Sequence, residues 1–263
     1  MAQHHSGGML AIYPDGPTCA GCKSAQPLDF AFSYAYQPIV DVRSCSIYAH
    51  EALVRGVQGE PAPTVLSRIT EANRYQFDQA CRVKAIQMAT QLQLDTMLSI
   101  NFMPNAIYRP EVCIQSTLPR PEIMDFQLIT SSLKPPKASA SMTANGYAKS
   151  CANTKKIGFL TAIDDFGAGF AGLNLLADFH PDILKLDMDL IRHVDQSKAR
   201  QAIVRGITRI CEELDIRVIA EGVETRDEAA FLADTGIALM QGYLFSKPLF
   251  EDSGKFDASF CRA

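Results

Sequence analysis

The sequence predicts an α/β fold with a parallel core closed as a (β/α) barrel. Two observations carry that expectation: short apolar strands alternate with helical stretches over more than 200 residues, and the strands repeatedly finish in a polar or charged residue. The 263 residues suit one barrel or two small domains, and a hydrophobic fraction of 47% is ample for a large core.

The elements follow in order. Residues 1–28 are rich in Gly, Pro and Cys and read as an extension, with Met1 to Gly8 as a disordered lead. Tyr34 to Val42 and Ser46 to Val54 read as two strands with a short connection. Thr64 to Tyr75 and Phe77 to Leu94 space their apolar residues as helices, and Met97 to Phe102 is a strand. Phe159 to Ile163 is a strand that runs straight into Asp164-Asp165-Phe166-Gly167. Ile183 to Leu186, Val218 to Ala220 and Leu239 to Leu244 are further strands. Helices are expected near Leu173–Asp178, Arg200–Leu214 and Arg226–Asp234. The barrel domain spans 29–255, with an atypical segment at 126–156, and 256–263 form a tail.

The polar strand endings are Glu51, Asn101, Asp164, Lys185, Glu221 and Gln241. In a barrel they converge on one face, where active sites lie. Taken singly, each is also what an ordinary strand end looks like. Asp164 and Asp165 are adjacent carboxylates, which repel in a low dielectric unless a cation lies between them. Oxygen donors of this kind suit Mg²⁺ or Mn²⁺. The plainer alternative is a helix N-cap with an acidic first turn.

Charge and cysteine content narrow the function. A net charge of −4 gives no general affinity for polyanions, so neither DNA nor RNA is an expected partner. No apolar run reaches the length of a membrane span, and no secretory signal is seen, which points to the cytoplasm. The 8 cysteines are scattered and suit a reduced chain better than a disulfide framework. Cys19-x-x-Cys22 is half of a zinc site, a redox pair, or neither.

Taken as an ordered set, the motifs say more. Tyr36-Gln37-Pro38-Ile39-Val40 is followed by Glu51-Ala52-Leu53-Val54-Arg55, Asn101, and Asp164-Asp165-Phe166-Gly167-Ala168-Gly169. Lys185-Leu186-Asp187, Glu221-Gly222-Val223-Glu224 and Gln241-Gly242-Tyr243 complete it. From about Phe30 to Phe250 the chain resembles the EAL family of cyclic-di-GMP phosphodiesterases.

The resemblance implies a modified TIM (β/α)8 barrel with one antiparallel early strand. It also implies hydrolysis of one phosphodiester bond of cyclic di-GMP to the linear dinucleotide. By the same resemblance Glu51, Asn101 and Asp164 are ligands of a first Mg²⁺ or Mn²⁺ ion, with Asp164 and Asp165 seating a second. Lys185 would position the attacking water, with Glu221, Glu224 and Gln241 in the metal and water shell; Asp165, Lys185 and Glu221 are the catalytic candidates. Gln37, Leu53 and Arg55 match positions that touch substrate, as Glu224 and Gln241 also would. Family members often pair, so a homodimer is an open expectation.

One departure stands out. The family carries a Glu-x-Thr-Glu-like motif on the strand between Asn101 and Asp164. Here that stretch is Phe126-Gln127-Leu128-Ile129-Thr130-Ser131-Ser132, and no Asp or Glu occurs from Phe126 to Ile163. Leu133 to Ser141 is low in complexity and a poor helix. A normal length with foreign composition is what a local reading-frame shift, repaired downstream, would leave. Reduced activity, or a module that binds cyclic di-GMP or a protein without cutting, is the alternative to a full enzyme.

Overall fold

A computed structural model describes residues 28–102, 128–132, 159–168, 173–178, 180–254 and 256. Cys19, Cys22 and the atypical stretch beyond Ser132 lie outside the described residues. Nine strands are described: β1 (Ser33–Asp41), β2 (Ser46–Arg55), β3 (Met97–Phe102), β4 (Leu128–Ser132), β5 (Leu160–Phe166), β6 (Ile183–Leu186), β7 (Arg217–Ala220), β8 (Leu239–Met240) and β9 (Leu249–Phe250). Six helices accompany them: α1 (Ala62–Leu66), α2 (Arg74–Gln91), α3 (Leu173–Asp178), α4 (Met188–Ile191), α5 (Lys198–Glu213) and α6 (Arg226–Asp234).

The sheet runs β2-β3-β4-β5-β6-β7-β8-β1 and closes through a β1–β2 pairing. Strands β2 to β8 pair in parallel, whereas β1 is antiparallel to both neighbours. This is the modified TIM barrel with an antiparallel early strand. The short β9 pairs with Ala35 and Tyr36, extending the sheet beside the upper half of β1.

Side chains of a strand alternate between faces, so the barrel has an inner and an outer core. Ile39, Ala49, Ile129, Ala162, Ile183, Ile219 and Leu239 form one buried inner cluster. Outside the sheet, α2 packs its Phe77, Ala85, Ile86 and Ala89 against Tyr34, Tyr36, Leu98 and Ile100. A third cluster joins Leu184, Leu186 and Ala220 to Val204, Ile207 and Cys211 of α5 and to Ala229 and Leu232 of α6.

Some boundaries differ from the sequence expectation. The helix expected over 64–75 is instead α1 and a turn. There Asn73 accepts from Thr70 N at 2.8 Å and donates to Arg68 O at 3.1 Å, and these side-chain bonds replace the helical ladder. Strand β5 continues through Asp164-Asp165 to Phe166, and β8 stops at Met240 where Gly242 turns under Val223. Cys81 and Cys211 are free and buried, as apolar fillers should be. Cys45 is disulfide-bonded, contrary to an all-reduced reading, and sits half-buried in the β1–β2 turn, not in the core.

Candidate functional site

The inner apolar cluster is the floor of the site, and a two-residue period builds what lies above it. Two positions further toward the rim from Ile39, Ala49, Ala162, Ile183, Ile219 and Leu239 stand Gln37, Glu51, Asp164, Lys185, Glu221 and Gln241. Alternation returns each to the same face as its apolar predecessor, so the barrel interior changes from oil to polar within one layer. Asn101 belongs to this layer through β3, whose Ser99 pairs with Glu51. In the β3–β4 ladder Ser131 lies opposite Asn101, and the β4 sequence Leu128–Ser132 contains no acid.

Lys185 is the hub. Its side chain is 1% exposed, and Nζ lies 3.0 Å from Glu51 Oε1, 3.2 Å from Asp164 Oδ1 and 2.6 Å from Glu221 Oε1. Burial opposes the ammonium, but Asp164, Glu221 and Glu51 together outweigh it and raise the Lys185 pKa well above the ordinary lysine value. Burial pushes Asp164 and Glu221 up, and for both it prevails over the attraction of Lys185. Glu51 goes the other way. Burial raises it, yet Lys185 and hydrogen bonds from Gln241 and Asn101 hold its carboxyl below the usual glutamate range.

Three carboxyl groups face a single ammonium in a nearly dry layer, more acidic groups than that one cation can pair. Ligand oxygens of Asp164, Asp165 and Glu221 lie within 4.8 Å of one another. Asp165 adopts a left-handed backbone, φ 54°, where a functional constraint commonly holds a side chain. Asn101 Oδ1 and Gln241 Oε1 are buried acceptors with no hydrogen-bond partner among the described residues. Orphaned oxygens beside surplus carboxylates match the donor set of a hard divalent cation, so the residues present fit Mg²⁺ or Mn²⁺, with one acidic donor fewer on β4 than the family pattern.

A chain of amides fixes which atoms face the site. The Ser246 carbonyl can only accept, so Gln37 gives it Nε2 at 3.0 Å and turns Oε1 to Gln241. Gln241 Nε2 then donates to Gln37 Oε1 at 3.0 Å and to Glu51 Oε2 at 2.7 Å, which leaves Gln241 Oε1 free to accept. Gln37 is buried and uses both atoms of its amide in this relay, which gives it a supporting place beside Gln241.

The remaining candidates are more peripheral. Leu53 and Arg55 continue the Glu51 face of β2 toward the rim, and Arg55 Nη1 donates to Val54 O at 2.8 Å. Glu224 is not in the cluster; it is exposed and paired with Arg192. Sequence reasoning missed Glu228, 2% exposed on α6, which binds backbone of the Glu224 loop. The signal was present as Thr225-Arg226-Asp227-Glu228, a capping-box pattern.

A closed barrel with an acidic, lysine-centred rim defines a class of hydrolytic or ligand-binding barrels, and comparison with known proteins makes it particular. The EAL domain model matches residues 28–248, and the chain belongs to the EAL domain family. The blue light- and temperature-regulated antirepressor BluF of Escherichia coli is 34% identical over 224 residues, covering 81% of this chain and 53% of that protein. The cyclic di-GMP phosphodiesterase PdeR of E. coli is 42% identical over 94 residues, 36% of this chain and 14% of PdeR. The chain thus spans about half or less of these curated relatives. Among solved structures, a standalone versatile EAL protein from Vibrio cholerae O395, in its c-di-GMP bound form, matches at TM-score 0.82 and 44% identity over 90% of this chain and 100% of that one. The manganese/cy-diGMP complex of Klebsiella pneumoniae BlrP1 at pH 9.0 matches at TM-score 0.72 and 33% identity over 86% and 58%.

Proposed function

We propose that the chain hydrolyses one phosphodiester bond of cyclic di-GMP to the linear dinucleotide with Mg²⁺ or Mn²⁺. The observation that carries this reading is the buried Lys185 ammonium shared by Glu51, Asp164 and Glu221, with Asp165 beside them. Asp164, Asp165, Glu221, Glu51 and Asn101 would hold the cations, which when bound lower the pKa of a water and offset charge on the phosphate oxygens.

The chain's own groups have distinct tasks. Lys185 points its ammonium into the carboxylate cluster, where it can orient the attacking water and stabilise negative charge developing on phosphorus-bound oxygen. Gln241 Oε1, aimed by the relay, accepts a hydrogen bond from a water or substrate hydroxyl and so orients it. Arg55 sits toward the rim with a guanidinium suited to forking onto a phosphate. Water adds across one P–O bond: its hydroxyl joins phosphorus, and the departing sugar oxygen takes the proton.

A second reading is a barrel that binds cyclic di-GMP or a protein without cutting. It draws on the acid-free β4 and on BluF, a relative named an antirepressor. Product analysis with Mg²⁺ or Mn²⁺ separates the two. Linear dinucleotide above a no-metal control is expected, and Asp164→Ala should slow its formation on the order of a thousandfold, ~4 kcal/mol at the barrier. Binding of cyclic di-GMP without product would establish the second reading, and turnover that survives Asp164→Ala would exclude the site.

A further inference from the structure

The loop carrying Glu221 and the turn that ends α4 belong to successive βα units, and one buried side chain ties them together. Glu228 Oε1 accepts from His193 N at 2.8 Å, just past α4. Its Oε2 accepts from Glu224 N at 3.0 Å and Thr225 N at 3.1 Å, in the Glu221 loop. Helix α4 is itself wedged between both acidic loops. A Cβ on Gly222 would lie 2.4 Å from Met188 Cβ, and a Cβ on Gly167 would lie 2.2 Å from Leu190 Cδ1. Contact therefore runs from the Asp164-Asp165 loop through α4 to the Glu221 loop, and Glu228 closes the far end. The exposed Arg192–Glu224 pair lies over the same junction.

From this we infer that Glu228 is a positioning residue: by pinning His193 to Glu224 and Thr225 it clamps α4 against both loops. The clamp sets the spacing of Glu221 from Asp164 and Asp165 on which cation binding depends. The inference rests on the reading of the site given above. A simple helix cap is the competing role, because Thr225 Oγ1 and Glu228 also form a capping box. The two roles differ in what glutamine can replace. Gln at this position caps a helix as well as Glu does. Its single oxygen would stay with the paired Glu224 and Thr225 amides and turn the NH₂ toward His193 N–H, so the clamp opens.

The test uses the full chain as wild type, Glu228→Gln and Glu228→Ala. Manganese affinity is read from the electron paramagnetic resonance of free Mn²⁺, and amide exchange is measured on the metal-free proteins. For Glu228→Gln, a melting temperature only about 5 °C below wild type, and above that of Glu228→Ala, is expected together with a Mn²⁺ affinity weakened ~10-fold, the scale typical of partners that orient metal ligands. Faster exchange of the His193 amide should accompany it. Wild-type Mn²⁺ affinity in Glu228→Gln overturns the clamp, whatever happens to turnover. If the wild-type chain neither binds Mn²⁺ nor cleaves cyclic di-GMP, the functional reading fails, and amide exchange alone judges the clamp. Lost protection at His193 in Glu228→Gln then upholds it, and unchanged protection sinks it.

Discussion

Replacing Lys185 with methionine should destabilise the metal-free protein in a way that depends on pH and is repaired by cations. The substitution keeps the volume of the stem and removes the charge. Three oxygens at 2.6, 3.0 and 3.2 Å lose their counter-ion. At an effective dielectric near 20, each attraction amounts to ~5 kcal/mol, set against the desolvation of the ammonium and the mutual repulsion of the carboxylates. Breaking a buried ionic cluster by deleting one partner costs about 3–5 kcal/mol, and for a barrel of this size that lowers Tm by about 10 °C at pH 7. The sign with pH follows from the groups left behind. Lys185 has a raised pKa, so its contribution is fully present below the ordinary lysine pKa and is lost only as pH rises through the folded value. Burial already holds the pKa values of Asp164 and Glu221 above their ordinary range, and losing the attraction of Lys185 drives both higher still. The deficit of the variant should therefore narrow as pH falls from 7 toward 5. Millimolar Mn²⁺ should also narrow it, because the dication replaces the lost ammonium and so binds the variant more tightly than wild type; ligand at a hundred times its Kd adds about 2.7 kcal/mol. Thermal unfolding followed by circular dichroism, with and without Mn²⁺, reads all three effects. A Tm within about 2 °C of wild type at pH 7, or a deficit that widens in acid, would refute the electrostatic argument.

Three further outcomes are expected. Gln37→Leu leaves the Ser246 carbonyl and one Gln241 N–H without a partner, so the ligand-free protein should lose about 2 kcal/mol in urea unfolding; a residue that only touched substrate would leave that midpoint unchanged. Gly242→Ala places a Cβ about 2.0 Å from Val223 O, which is backbone and cannot swing away, and should cost about 3 kcal/mol and abolish Mn²⁺ binding. Ser131→Glu puts a carboxylate in the β4 slot opposite Asn101, and calorimetry should show Mn²⁺ affinity rising ~10-fold through the added ligand charge.

Much of the barrel was legible because most of its strands are short and apolar and helices such as Lys198–Glu213 carry one apolar face. Residues Met97–Phe102, Ile183–Leu186, Leu173–Asp178 and Arg226–Asp234 have the expected bounds. The turn after α1 was not legible, since it depends on what the Asn73 side chain bonds, and helical spacing of apolar residues persists through it. For the site, polar endings at Glu51, Asn101, Asp164, Lys185, Glu221 and Gln241 foretold a common face, and Lys185, Asp164 and Glu221 do meet. What escaped was the direction of each hydrogen bond. Gln37 turned out to brace Gln241, Glu224 went to Arg192, and Glu228 reached His193, a residue 35 positions earlier. Those partnerships depend on how loops from different units pack, which no local pattern encodes.

The antiparallel β1 also fixes when the site can exist. Val40 joins Met240 to close the cylinder, and Gln37 meets Gln241 and the Ser246 carbonyl. The first strand of the described residues therefore waits for β8, which follows much later in the chain. A chain still emerging from the ribosome has Glu51 and Asp164 but no completed cylinder to gather them, so its acidic groups stay apart and hydrated. Chemistry and closure arrive together, once the chain has been made through Ser246.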